Sequence, residues 1–162
     1  MAVDPKITLA IIEKELAIAK HLGRHQGWEF GSLDAARPTF LVKMKSPIDG
    51  EEYHVEFQLD DYREMPPFIE FIHPTTGERG TRRCYPKDQH PEGGSIFHDT
   101  PCICHPSSRK AYGKYRGPHA DWDAQITNWP AQAKGLTTIA EILQMIQARI
   151  SDRTSYKGRM EK

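Results

Sequence analysis

Three cysteines and eight histidines are the residues of this chain best suited to chemistry. An odd number of thiols does not close into a disulfide framework, so reduced cysteines are expected. Cys84, Cys102 and Cys104 fall in one stretch of the chain with His90, His98 and His105. Two chemistries fit such a stretch. A thiolate is a nucleophile that can hold an acyl group, and an ordinary thiol of pKa about 8.5 is already a few per cent ionised at neutral pH. Alternatively, two thiolates and two imidazoles suit tetrahedral zinc, which would brace a segment with few apolar residues of its own. The Cys-x-Cys spacing is unlike the paired Cys-x-x-Cys of a zinc finger. His98, Asp99 and His105 flank Cys102, and Asp121, Asp123 and Asn128 follow on the returning chain. These are the side chains that could take a proton or donate to a developing oxyanion.

Something must position these residues. Apolar Ile7, Ile11, Ile12, Leu16 and Ile18 recur at or near helical spacing and predict a helix over 7–22, started by Asp4-Pro5 and stopped by Gly23. The period then changes to two. Thr39, Leu41 and Lys43 alternate with Phe40, Val42 and Met44; after the Pro47-Ile48-Asp49-Gly50 turn, Tyr53, Val55, Phe57 and Leu59 alternate with His54, Glu56, Gln58 and Asp60. Pro66-Pro67 cannot lie inside a central strand, so the segment before Phe68 is a rigid connection to a further short strand ending near Ile72. Periodicity fades from Thr75 to about Pro130, a length at which loops are usually functional. It returns at Thr138-Ile-Ala-Glu141, a capping-box pattern, with Ile139, Ile142, Leu143, Ile146 and Ile150 on one face of a helix over 138–151. The closing stretch is polar and is expected to fray. The expectation is an α+β fold: N-terminal helix, four-stranded antiparallel meander, long active-site loop and C-terminal helix, as a single domain over 1–151 with a polar tail over 152–162.

A first helix, a meander, a Tyr62-Arg-Glu-Met-Pro66-Pro67 connection, a strand ending in His73-Pro74 and a cysteine in a long loop together resemble the ubiquitin-conjugating enzyme family. Asn128-Trp129-Pro130-Ala131 before the last helix resembles the family's tryptophan and Pro-Ala in the same order. Cys102-Ile-Cys-His-Pro106 is similar to the Cys-Leu-x-x-Pro motif of the divergent bacterial branch, with Ile for Leu. Arg63 stands where the family has a proline. None of His73-Pro74-Thr75, His90-Pro91-Glu92 and His105-Pro106-Ser107 completes a His-Pro-Asn triplet, so the oxyanion role of the family's Asn has no fixed occupant. The resemblance implies a ubiquitin-conjugating fold carrying a ubiquitin-like modifier as a cysteine thioester. The Cys-x-x-x-Pro spacing places the thiol at Cys102, the Ile-Cys pair favours Cys104, and the distance from His73-Pro74 favours Cys84. His98, Asp99 and His105 accompany it. Implied partners are an activating enzyme that docks on the first helix, where Lys6, Lys14 and Lys20 are its exposed basic positions, a ubiquitin-like modifier and a protein target, in a bacterial antiphage or stress setting. No cofactor is implied. The alternative is a non-catalytic or zinc-stabilised module that binds a ubiquitin-like protein.

Charge and hydropathy narrow the remaining classes. Twenty-two basic residues balance twenty-two acidic ones, so no field draws the chain to nucleic acid or an anionic membrane. The clusters Arg79, Arg82, Arg83 and Arg109, Lys110, Lys114, Arg116, with Tyr112 and Tyr115 interleaved, read as solvated or docking surfaces rather than strand-binding ones. No apolar run is long enough to span a bilayer, and the opening MAVDPKITLA lacks the pattern of a secretory signal. A cytoplasmic location is expected.

Overall fold

The computed structural model describes residues 3–90 and 92–162. Met1, Ala2 and Pro91 lie outside the described residues, and with them part of the opening segment and of the second His-Pro pair. Helix α1 runs Pro5–Gln26. Asp4 accepts from the Lys6 amide, Pro5 fills the first turn, and Gly27 closes the helix in the left-handed conformation with its amide bonded to the Gly23 carbonyl. Gly23, expected to stop the helix, lies inside it. A Cβ there would come within 2.9 Å and 3.0 Å of the Trp28 and Phe30 rings. Its role is close packing, not chain reversal. The buried face of α1 is Thr8, Ile12, Glu15, Leu16, Ala19 and Gly23. Ile7 and Ile18, expected on the apolar face, are 55% and 50% exposed. The small residues Ala19 and Gly23 centre the seam on Ile12 and Leu16, which turns Ile7 and Ile18 outward.

Strands β1 (Glu29–Phe30), β2 (Thr39–Lys45), β3 (Glu52–Gln58) and β4 (Phe68–Ile72) form one antiparallel sheet in sequential order. The register pairs Val42 with Val55 and Val55 with Phe71. Period-two alternation sends Phe40, Val42, Met44, Tyr53, Val55, Phe57, Ile69 and Phe71 into one core. The alternation expected from the sequence is therefore present, in an α+β chain.

Beyond β4 the chain makes short strands and 3-10 turns instead of one irregular loop. Strand β5 is Pro86–Asp88, and β6 (Phe97–His98) pairs with β7 (Cys102–Ile103) as a small hairpin. A 3-10 run over Ala120–Asn128 leads into the one-turn helix α2 (Trp129–Gln132). Helix α3 spans Ile139–Ile150, and the capping box forms as its pattern predicts: Thr138 Oγ1 accepts from the Glu141 amide, while Glu141 accepts from the Thr138 amide. Ile142 and Ile146 are fully buried, and α3 packs against α1, β2 and β5.

The end of the chain departs from expectation. Instead of fraying, Tyr156–Arg159 forms β8 and pairs with β5. Tyr156 meets the Tyr53 hydroxyl at 2.7 Å, and the Arg159 guanidinium is held by Glu51 and the Glu52, Arg83 and Cys84 carbonyls over the Tyr53 ring. Two polar side chains with buried stems do what a hydrophobic pattern would otherwise have announced. No helix among the described residues is long and apolar enough to cross a membrane.

Candidate functional site

The segment that carries the cysteines is tied to the sheet by the Pro66-Pro67 connection. Proline amides cannot donate, but their carbonyls still accept. The Arg109 amide bonds to the Pro67 carbonyl, and its buried guanidinium reaches the Pro66 carbonyl at 2.7 Å, the Asp60 carboxylate at 2.7 Å and the Asp60 carbonyl. Tyr112 Oη donates to the Pro106 carbonyl. These bonds hold the chain just downstream of Cys104.

Cys102 and Cys104 differ sharply in environment. Cys102 sits inside the β6–β7 hairpin opposite His98, only 1% exposed. Burial pushes its thiol up to about 12, the neighbouring Cys104 adds to this, and Lys110 opposes it. Cys104 follows the last hairpin residue. The His105 amide bonds back to the Ile103 carbonyl, so Cys104 is the middle of a three-residue turn. Its side chain is half-buried, and burial raises its pKa as well. A thiol at rest, rather than a thiolate, therefore sits there.

That thiol has a hydrogen-bond partner. Cys104 Sγ lies 2.8 Å from His119 Nε2. The opposite ring nitrogen, Nδ1, is 3.8 Å from an Asp121 carboxylate oxygen. The imidazole is stacked flat on the Trp122 indole, with centroids 3.7 Å apart and planes 4° from parallel. The separation from Asp121 is too long for a hydrogen bond and Asp121 is largely exposed, so the ring is held by its stack on Trp122 and by its loop, with a thiol against Nε2. Two glycines place His119. A Cβ on Gly113 would lie 2.6 Å from Ala120, and one on Gly117 2.2 Å from the Ala111 backbone. The His119 amide bonds to the Ala111 carbonyl and the Gly113 amide to the His119 carbonyl. Only glycine lets the loop close this tightly.

A cleft of about 350 Å³ is lined by Pro106, Tyr112, Asp121, Trp122, Gln125 and Lys134, and by neither Cys104 nor His119. A larger hollow of about 720 Å³, lined by Asp34, Arg37, Leu41, Glu56 and Gln58, contains no cysteine.

The other sequence candidates are placed elsewhere. His98 faces Cys102 across the hairpin, and its Nδ1 accepts from the Thr100 amide. Asp99 is exposed and pairs with Arg82 at 3.1 Å. His105 Nδ1 meets Ser107 Oγ at 2.7 Å, and burial lowers its pKa, which keeps it neutral. Asp123 accepts from the Lys114 amide, and Asn128 is exposed where the 3-10 run ends. Cys84 is buried and bonds to the Glu78 carbonyl. Among the described residues no three His, Cys, Asp or Glu side chains converge as metal ligands, so the Cys/His cluster of the sequence is not gathered into a zinc site. The basic cluster is largely neutralised: Arg79 pairs with Glu56 and Glu70, Arg82 with Asp99 and Glu161, and Arg83 with Glu78.

His119 is the residue that sequence reasoning missed. Its signal was the Gly113-x-x-x-Gly117-Pro118 frame before it, a local tightness that aims one side chain. Comparison with protein-family models, curated proteins and solved structures finds none that matches this chain.

Proposed function

We propose that this chain is an acyl-carrier enzyme of the ubiquitin-conjugating type, with Cys104 as the thioester sulfur. The observation that carries the reading is the Cys104–His119 pair, presented on a turn behind an α1–meander scaffold of the kind the sequence resemblance implies. In the charging step, Cys104 Sγ attacks the activated carbonyl carbon of a modifier's carboxyl terminus. The thiol proton passes to His119 Nε2, the bond to the activating enzyme's sulfur breaks, and that sulfur takes up the proton. Cys102 shapes the hairpin beneath. The exposed Ile7 and Ile18, with Lys6 and Lys14 beside them, are the surface of α1 offered to the activating enzyme.

The test is mass spectrometry of the intact protein mixed with a synthetic glycine-ended peptide thioester. A mass gain that added thiol reverses, and that Cys104→Ala abolishes while Cys102→Ala retains it, supports the reading. Charging that survives Cys104→Ala overturns it.

The Cys104–His119 pair also favours a second reading, a thiol hydrolase. In that case the charged protein would release the free acid at the same rate whether or not an amine is present.

A further inference from the structure

We infer that His119 is a catalytic base for the discharge step, taking the proton of a primary-amine acceptor as it attacks the thioester on Cys104. The inference rests on the carrier reading above.

Geometry singles out this ring. Once Sγ is acylated, it no longer has a proton to give, but His119 Nε2 still sits 2.8 Å from the sulfur position. An amine attacking the adjacent carbonyl carbon must pass within reach of the same nitrogen. The Trp122 stack and the glycine-tightened loop fix the ring, so the base does not swing away after charging. The imidazole is one-quarter exposed, which leaves it open to an incoming group. The titratable groups around it are Cys104 and Asp121, with Tyr112 and Asp123 on the flanking turns.

The step balances. The amine nitrogen bonds to the thioester carbonyl carbon, and one amine proton moves to Nε2. The carbon–sulfur bond then breaks with its electron pair on Sγ. The proton returns from Nε2 to Sγ, restoring the thiol and the neutral imidazole, and the product is an amide. A free lysine is ionised at neutral pH because its pKa is about 10.4. A base adjacent to the carbonyl therefore matters most for such an acceptor, and a general base typically contributes roughly 10²–10⁴-fold.

The experiment separates charging from discharge. Wild type and His119→Gln are charged to completion with the glycine-ended peptide thioester at raised pH, freed of excess donor, and returned to neutral pH with free lysine. Loss of the acyl mass and appearance of the lysine amide are followed together. Wild type should discharge roughly 10²-fold faster than His119→Gln. Imidazole added to a charged His119→Ala protein should restore formation of the lysine amide, beyond any effect it has on wild type, because a free base can enter the emptied place. Equal rates in the two proteins overturn the inference while leaving the carrier reading intact; failure of wild-type Cys104 to charge sinks the carrier reading itself. Should His119→Gln fail to fold, the His119→Ala protein with and without added imidazole decides. No gain of lysine amide with imidazole overturns the inference, and restored amide formation supports it.

Discussion

Glu15 is the side chain whose loss should cost this fold most for its size. It lies in the seam between α1 and α3, and one carboxylate oxygen accepts from Tyr62 Oη at 2.7 Å and from the Ile139 amide at 3.0 Å. The other accepts from Arg63 Nη1 at 2.9 Å. Glu15→Ala removes both acceptor oxygens and all three hydrogen bonds at once. Tyr62 keeps a partner in the Thr137 carbonyl, so its loss is about 1 kcal/mol. The Ile139 amide opens α3 beside a fully buried side chain, and a buried donor left unpaired costs about 1–3 kcal/mol. Arg63 is 34% exposed, so its ion pair is discounted to well under about 1 kcal/mol. The sum is about 3 kcal/mol. Urea denaturation at pH 7 should show the midpoint falling with the slope unchanged. Tm should drop by roughly 6–12 °C, because a domain of this size shifts about 2–4 °C per kcal/mol. Glu15→Gln keeps an acceptor oxygen and should lose about half as much. A Glu15→Ala protein within about 1 kcal/mol of wild type would show that this seam is held by apolar packing alone.

Two further outcomes are expected. Ile146→Ala should destabilise by roughly 2–5 kcal/mol in the same assay, since Ile146 is fully buried on the core face of α3; melting like wild type would make that helix peripheral. Iodoacetamide on the native protein should modify Cys104 first, as located by peptide mass spectrometry. Its rate should rise with pH because burial holds the thiol protonated at neutral pH and alkylation needs the thiolate. Cys102, 1% exposed and pushed up to about 12, should react only in denaturant, and comparable native labelling of both would refute the contrast.

The parts of this fold that were legible in the sequence are those where one local rule acts alone. Alternation in Tyr53-His-Val-Glu-Phe showed the sheet face, and Thr138 with Glu141 showed the capping box of α3, which begins one residue inside the expected start of the helix. The parts that were not legible depend on partners distant in sequence. The Tyr156–Arg159 strand is anchored through Asp49, Glu51 and Tyr53, about a hundred residues earlier. Arg63, which stands where the resembled family has a proline, reaches Glu15 and lies within cation–π range of Tyr62 and Trp129, while its carbonyl accepts from the Trp129 indole. In that way Tyr62, Arg63 and Trp129, read separately as motif fragments, become one joint linking α1, the Pro-Pro connection and the entry to α2.

The choice between Cys102 and Cys104 shows why spacing alone leaves a site open. In a continuing strand, residues two apart share a face, so both thiols would be buried or both exposed. The Cys104 amide still bonds across the hairpin to the Ile96 carbonyl, but the strand goes no further. The turn at Cys104, closed by the His105 amide on the Ile103 carbonyl, breaks the alternation one residue after the hairpin ends. Its cause lies downstream, where Arg109 and Tyr112 pin the chain to the Pro66, Pro67 and Pro106 carbonyls. The same bonds set the origin of the loop that brings His119 back onto Sγ. Exposure of the thiol and supply of its base thus have one structural cause. A substitution that frees Arg109 should disturb both together, even though Arg109 touches neither.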